Sequence, residues 1–383
     1  MNANVERHRS HDWYHTDRSG TRVLVTGHSG FIGSWLSIAL TASGAEVVGF
    51  AANDTPHTRR RATELAGLGV TGVTGDIRDF AALHEVMADG RFDAVVHLAA
   101  QPLVSAGLSD PRTTLTTNIV GSVNVLEAAR LCAPPVLVHV TSDKCYRNRE
   151  WPWPYREVDE LGGGCPYSVS KAGAELVFEG YQDLYRAAGL PLAAGSIRFG
   201  NVIGGGDHAV NRLVPDALTA LAAGEPIRLR HPDAVRPWQH ALDVVHGLLR
   251  LVDGLGAGVV AGGQVFNFAP PGNGASVREL VSALTAAWAR HGGTGVPVVV
   301  EHDPTFAEHG VLRLDGRRAA TALGWQHRLD LDGAADAIVG WHRAVAAGVP
   351  AVEATAGQLH SLLGLPRLPG RPAVADRTAG AAR

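Results

Sequence analysis

As far as about Asn201, short apolar runs alternate with stretches whose apolar positions recur every three or four residues. "RVLVTG" (22–27) is an unbroken apolar run stopped by glycine, the mark of a buried strand. In "FIGSWLSIALTASG", Phe31, Trp35, Ile38 and Leu40 can line one broad helical face, and Gly44 stands where the helix would end. "EVVGF" and "VTGVTGDI" predict the next two strands, "FAALHEVMADG" a helix and "AVVHLAA" a fourth strand. "TTNIVGSVNVLEAARLC" predicts a long helix and "PVLVHVTS" a fifth strand. Strands apolar along their length, alternating with helices, predict an α/β fold with a parallel sheet covered on both faces.

Beyond Asn201 the rhythm breaks. The stretch from "GGGDHAV" to "RPWQHALDVV" is richer in Gly, Pro and Arg and predicts a smaller second lobe. "QVFNFAP" is expected to return to the sheet. The expected division is a flexible polar lead-in over 1–20 and a sheet domain over 21–201, rejoined by 238–268. A lobe takes 202–237 and 269–345. A tail over 346–383 is rich in Ala, Gly and Pro, which predicts disorder.

Composition then excludes several function classes. A net charge of −3 leaves no basic excess for nucleic acid or an anionic membrane surface. No apolar run approaches the ~18 residues of a membrane-spanning helix, and the N-terminus has no apolar signal core. Cys132, Cys145 and Cys165 make no disulfide framework, so a reducing, cytoplasmic setting is expected. The 18 histidines are scattered and predict no metal site.

"TGHSGFIG" sets Gly27, Gly30 and Gly33 between the first strand and the first helix. Free N–H groups and the positive end of the helix dipole can hold a pyrophosphate there, and glycine permits the close approach. Strand, loop, helix and second strand are the context that a dinucleotide site needs; a tight turn with no ligand is the alternative. Asp54, near the end of the second strand, could hold an adenosine ribose and favours NAD. Arg59, Arg60 and Arg61 could instead receive a 2′-phosphate. Asp76 and Ile77 close the third strand within reach of an adenine, although Asp76 could simply cap a turn.

"CPYSVSKAGAEL" places Tyr167 and Lys171 four apart on one helical face. A lysine beside a phenol favours the phenolate, so the tyrosine can act as a base. "VHVTSDKCY" ends a buried strand in Ser142, Asp143 and Lys144, which is either a surface turn or a place for acid–base work.

Taken in order, "TGHSGFIGSW", "HLAAQPLV", "TSDKCY", "YSVSK" and "NVIGGGD" resemble an extended short-chain dehydrogenase/reductase acting on nucleotide sugars. "SDKCYRNREW", "RLVPD" and "RPWQH" are closer still to the CDP-glucose 4,6-dehydratases. The likeness runs from about Arg22 to about Val345. It implies a Rossmann-like doubly wound parallel sheet with a smaller C-terminal substrate-binding lobe, bound NAD, a nucleotide-diphosphate sugar as substrate and a homodimer. It implies that Gly27, Gly30, Phe31, Ile32, Gly33, Asp54, Asp76, Ile77, Ala99, Ala100, Gln101 and Asn118 meet or support the cofactor. Tyr167 would take the C4 hydroxyl proton, Ser142 would hydrogen-bond that hydroxyl, and Lys171 would hold Tyr167 and the nicotinamide ribose. Asp143 and Lys144 would then remove water across C5 and C6, with Asp143 as acid to the C6 oxygen. Asn201, Arg212, Arg236 and His240 would meet the nucleotide diphosphate.

The family's dTDP-glucose members carry Asp-Glu where this chain has Asp143-Lys144, so Lys144 matches the CDP version. Lys144 would serve as the C5 base or stabilise the enolate electrostatically. Ile32, Phe199, Asn211 and Cys165 depart from the family pattern. "REWPWPY" could lid the sugar site or form a surface plug. A nucleotide-sugar 4-epimerase would share the C4 oxidation but need no elimination pair. A non-catalytic NAD-binding protein would not need Ser142, Tyr167 and Lys171 together.

Overall fold

Strands this apolar need cover on both faces, and the chain supplies it. A computed structural model of the chain describes residues 14–301 and 309–368. Six of the apolar runs become β1 Arg22–Thr26, β2 Glu46–Ala51, β3 Thr71–Thr74, β4 Ala94–His97, β5 Val136–Val140 and β6 Ala193–Phe199. A last strand, Gln264–Phe268, completes a seven-stranded sheet in the order last strand, β6, β5, β4, β1, β2, β3. Every neighbouring pair is parallel.

Alternate strand residues enter opposite cores. Val23 and Val25 pack with helix α1 (Phe31–Ala42) and the helix Ala241–Gly256. Leu24, Val95 and Leu137 pack with the helices Phe80–Gly90, Gly121–Cys132 and Pro166–Ala187. Strand order reverses at β1, because β2 and β3 lie on one side and β4 on the other. A doubly wound sheet binds ligands outside the carboxyl ends of its strands at such a point. The glycine loop follows β1 there, and Ala99 to Gln101 follow β4.

A second core joins the helices Leu213–Ala223, Val277–Arg290 and Leu331–Ala346 through Val214, Leu218, Leu284, Trp288 and Ile338. Short strand pairs, Ile227–Leu229 with Val298–Val300 and Val235–Arg236 with Ala275–Ser276, brace it.

Three expectations need correction. The tail forms a helix, Ala351–Leu363, against α1. Its Val352, Thr355, Leu359 and Leu363 are buried at helical spacing, a pattern that the Ala and Gly content hides. The lead-in is ordered from Tyr14, where Arg18 makes a buried ion pair with Asp253 at 2.6 Å. Residues 1–13 and 369–383 of the two predicted flexible ends lie outside the described residues. The long helix expected at 116–132 begins with a π-turn, Thr116–Val120, before Gly121–Cys132.

Candidate active site

Close packing dictates the glycines of the loop after β1. Gly27 has φ +74°, and a Cβ on it would lie 2.8 Å from the Ala99 backbone. A Cβ on Gly33 would lie 2.1 Å from the Gly27 carbonyl oxygen. Gly30 stands at the N-cap of α1, and no side chain caps that helix. Its first N–H groups and its dipole therefore face the crevice, where a dinucleotide pyrophosphate fits. Phe31 and Ile32 are half-buried on the first turn.

At the adenosine end the structure adds a residue to the sequence reading. Asp54 is exposed at the start of the next segment. Asn53, in the left-handed region at φ +52°, is the residue that turns to the glycine loop. Its Oδ1 accepts from Ser29 Oγ at 2.6 Å. Sequence reading missed Asn53, although asparagine is among the few non-glycine residues at ease in that conformation. Asp76 is held by its own neighbour Arg78, with Nε at 2.9 Å from Oδ2. Ile77 is buried beneath Gly121, and its carbonyl accepts from Asn124. The three arginines are all engaged. Arg59 donates to the carbonyls of Asn53 and Asp54, Arg60 pairs with Glu64, and Arg61 donates to the carbonyls of Ser29 and Gly206.

Behind the crevice, Asn118 lies in the π-turn, a local widening that often marks a functional position. Its Oδ1 accepts from the Gln101 N–H at 2.8 Å. Its Nδ2 donates to the Gln101 carbonyl and, at 2.8 Å, to Ser170 Oγ. It thus ties the Ala99–Ala100–Gln101 segment to the helix that carries Tyr167 and Lys171. The Gln101 side chain is used up on Leu103 and Thr114.

The strand β5 runs out into Ser142, and Asp143–Cys145 closes a single 3₁₀ turn. Ser142 Oγ accepts from the Lys144 N–H at 3.2 Å and donates to Asp143 Oδ1 at 2.9 Å. Asp143 is only 2% exposed, and its Oδ2 has no hydrogen-bond partner among the described residues. Burial raises its pKa, while Lys144, Ser142 and Arg236 oppose the shift. A Cβ on Gly200 would come within 2.9 Å of that same Oδ2, so glycine there keeps the carboxyl's space clear.

Tyr167 and Lys171 are buried on the facing helix Pro166–Ala187. Burial pushes the phenol up to about 12, and the neighbouring Ser142 hydroxyl and Arg212 charge work against it. Burial also brings the Lys171 ammonium down to about 8, against the pull of Glu175. Such perturbed groups converging on one crevice characterise functional sites.

The substrate-side candidates divide. Arg212 stands near enough to Tyr167 to lower its pKa and pairs with Asp207 at 3.0 Å. Arg236 acts on Asp143, but its guanidinium is buried against the carbonyls of Val235 and His309. Asn201 is half-buried, and its carbonyl accepts from the Gln239 N–H. His240 corrects its expectation. It is fully buried, caps the helix Ala241–Gly256 through Nδ1 and packs edge-on against Trp35. Its Nε2 is sealed from solvent, so no diphosphate can reach it. In the "REWPWPY" loop, Trp151 stacks on Tyr155, while Trp153 is exposed.

Known proteins resemble this chain in sequence and fold. The model of the family described as NAD dependent epimerase/dehydratase family matches residues 23–268. The CDP-glucose 4,6-dehydratase of Salmonella typhimurium is 38% identical over 335 residues, which cover 85% of this chain and 91% of that protein. The UDP-glucose 4-epimerase of Mycolicibacterium smegmatis is 31% identical over 314 residues, covering 81% and 95%. DesIV, a dTDP-glucose 4,6-dehydratase from Streptomyces venezuelae solved with NAD and TYD bound, superposes with a TM-score of 0.73. It shares 27% identity, with 84% of this chain and 97% of that one covered. The chain belongs to the NAD dependent epimerase/dehydratase family.

Proposed function

We propose that the chain is a nucleotide-sugar 4,6-dehydratase whose substrate is CDP-glucose. One observation supports this reading: beyond Ser142 the chain turns at Asp143–Cys145 against the Tyr167–Lys171 helix, with Asp143 buried and Lys144 half-buried. A 4-epimerase has no use for such a pair. The 38% identity to a CDP-glucose 4,6-dehydratase supports the nucleotide.

The glycine cradle and the uncapped N-terminus of α1 fit NAD, which would supply a reversible hydride acceptor for the C4 oxidation and the later reduction at C6. Lys171, the Asn118–Ser170 link and the Ala99–Gln101 segment would hold its nicotinamide end. Arg61 is committed to the carbonyls of Ser29 and Gly206, and the acidic Asp54 just after the second strand suits a ribose 2′-hydroxyl, which favours NAD over NADP.

Tyr167 takes the C4 hydroxyl proton, with Ser142 hydrogen-bonded to the same oxygen. Its phenol must ionise, and a charged Lys171 beside it lowers that cost. A ketone at C4 acidifies the C5 proton. Lys144 then serves C5, while Asp143 gives its proton to the C6 oxygen, which leaves as water. Burial favours the protonated form of Asp143, as an acid requires. Arg212 and Asn201 are proposed to meet the nucleotide diphosphate.

We also propose a homodimer. Val169, Leu176 and Leu184 make an exposed apolar stripe on the Tyr167 helix, beside exposed Val120 and Leu131. A cytoplasmic setting agrees with three free cysteines. Among the described residues, no helix is long and apolar enough to cross a membrane.

The test is to incubate the purified chain with the CDP, dTDP, UDP and GDP forms of glucose and follow product mass. Loss of one water from CDP-glucose first and fastest is expected. A changed hexose of unchanged mass would overturn the reading in favour of epimerisation.

A further inference from the structure

The proposed chemistry needs two elements held in one geometry, the 3₁₀ corner with Asp143 and Lys144 and the helix with Tyr167 and Lys171. One buried ion pair touches both. Glu175 lies one helical turn beyond Lys171 and two beyond Tyr167, on the same face. Its Oε2 pairs with Arg198 at 2.6 Å, and the two side chains are only 1% and 5% exposed. Its Oε1 accepts from Ser196 Oγ at 2.7 Å and from Thr141 Oγ1. Thr141 lies two residues before the Asp143–Cys145 turn, with only Ser142 between them.

Arg198 reaches the other side of the same corner. Its Nη1 donates to the Tyr146 hydroxyl at 2.8 Å, and its guanidinium lies 5.0 Å from that ring. Tyr146 is the residue just after the turn, and its hydroxyl donates to Asn267 Oδ1 at 2.7 Å on the last strand. One pair therefore grips the chain on both sides of the turn, at Thr141 before it and Tyr146 after it, and its acidic member is anchored in the helix opposite. Both Glu175 oxygens are satisfied and both Arg198 Nη atoms are used, with only Arg198 Nε lacking a hydrogen-bond partner among the described residues, so the buried pair allows few alternative arrangements.

We infer that Glu175 and Arg198 are positioning residues which fix the elimination corner against the Tyr167–Lys171 helix, through Thr141 on one side and Tyr146 on the other. This rests on the dehydratase reading. Neither residue touches substrate; they act by keeping Asp143 and Lys144 aimed at the ring that Tyr167 has oxidised.

Glu175→Gln would strand a buried Arg198 charge and risk misfolding, so the test uses the two grips instead. Thr141→Val and Tyr146→Phe each remove one hydroxyl and leave Glu175, Lys171 and Asp143 in place. Single-turnover reaction with CDP-glucose separates the steps: absorbance of reduced nicotinamide reports C4 oxidation, and product mass reports water loss. Both variants are expected to oxidise C4 at close to the parent rate and to lose water about tenfold or more slowly, so that reduced nicotinamide accumulates. Hydrogen exchange of the amides at 143–146 is expected to speed up about tenfold without substrate, while the helix at 167–175 keeps its protection. A parental ratio of the two steps in both variants overturns the inference. So does equal slowing of both steps, the mark of a general loss of packing. A parent chain that removes no water from CDP-glucose overturns the dehydratase reading, and this inference with it. Parental turnover with unaltered variants overturns the inference alone.

Discussion

Asp143 must be an acid in a pocket where its neighbours would rather see it charged. Burial is the largest influence and raises its pKa, while Lys144, Ser142 and Arg236 pull the other way. Asp143→Asn keeps the shape and removes the proton. Water loss should fall by about 10²–10⁴-fold, the usual contribution of a placed acid or base, with C4 oxidation largely preserved. Accumulated reduced nicotinamide with little dehydrated product is the expected observation; equal loss of both steps would take Asp143 out of the acid's role. The placing of Tyr167 and Lys171 on one buried helical face, of Ser142 at the end of β5 and of the glycines at the junction of β1 and α1 was legible because it depends on local spacing. Asn53 was not, since a single left-handed residue after a strand leaves no periodic trace. His240 misled for the opposite reason. A histidine near two family arginines suggests a ligand contact, and only the packing of Trp35 shows it to be a buried helix cap.

Among elements, the sheet and its flanking helices followed from apolar period. The π-turn at Asn118 and the helix Ala351–Leu363 did not. A π-turn inserts one residue into an otherwise good helical pattern, and an Ala-rich helix looks like a linker until its buried face is counted. The exposed stripe on the Tyr167 helix leads to a further prediction. Val169, Leu176 and Leu184 are 44, 58 and 45% exposed and share one side. Leu176→Glu would put a charge into the proposed pairing face, a change that costs a dimer several kcal/mol if the charge is buried without a partner. Sedimentation should show the parent as a dimer and the variant as a monomer at micromolar concentration. A parent that sediments as a monomer would remove the proposed dimer.

At the scale of the molecule, acid should unfold this chain through its histidines. Burial holds His139, His240 and His246 down to about 3, and His28 and His327 to about 4, from an ordinary 6.5. Each stays neutral when folded and takes a proton when unfolded. The stability they contribute is whole above pH 6.5 and is lost as pH falls toward the folded values. Each is worth at most about 1.4 kcal/mol per pH unit within that window. The buried Asp243 carboxyl, raised to about 7, works the opposite way over the same range but is one group against five, so denaturant stability should still drop by several kcal/mol between pH 7 and pH 5. A flat profile over that range would mean these rings are solvated.

The account stands on elimination at C5 and C6. Its most direct measurement is the reaction of the purified chain with CDP-glucose in heavy water, read by mass and by position of label. The expected product has lost one water and carries one solvent deuterium at C5. Recovery of a hexose with all its oxygens and no deuterium at C5 would contradict it.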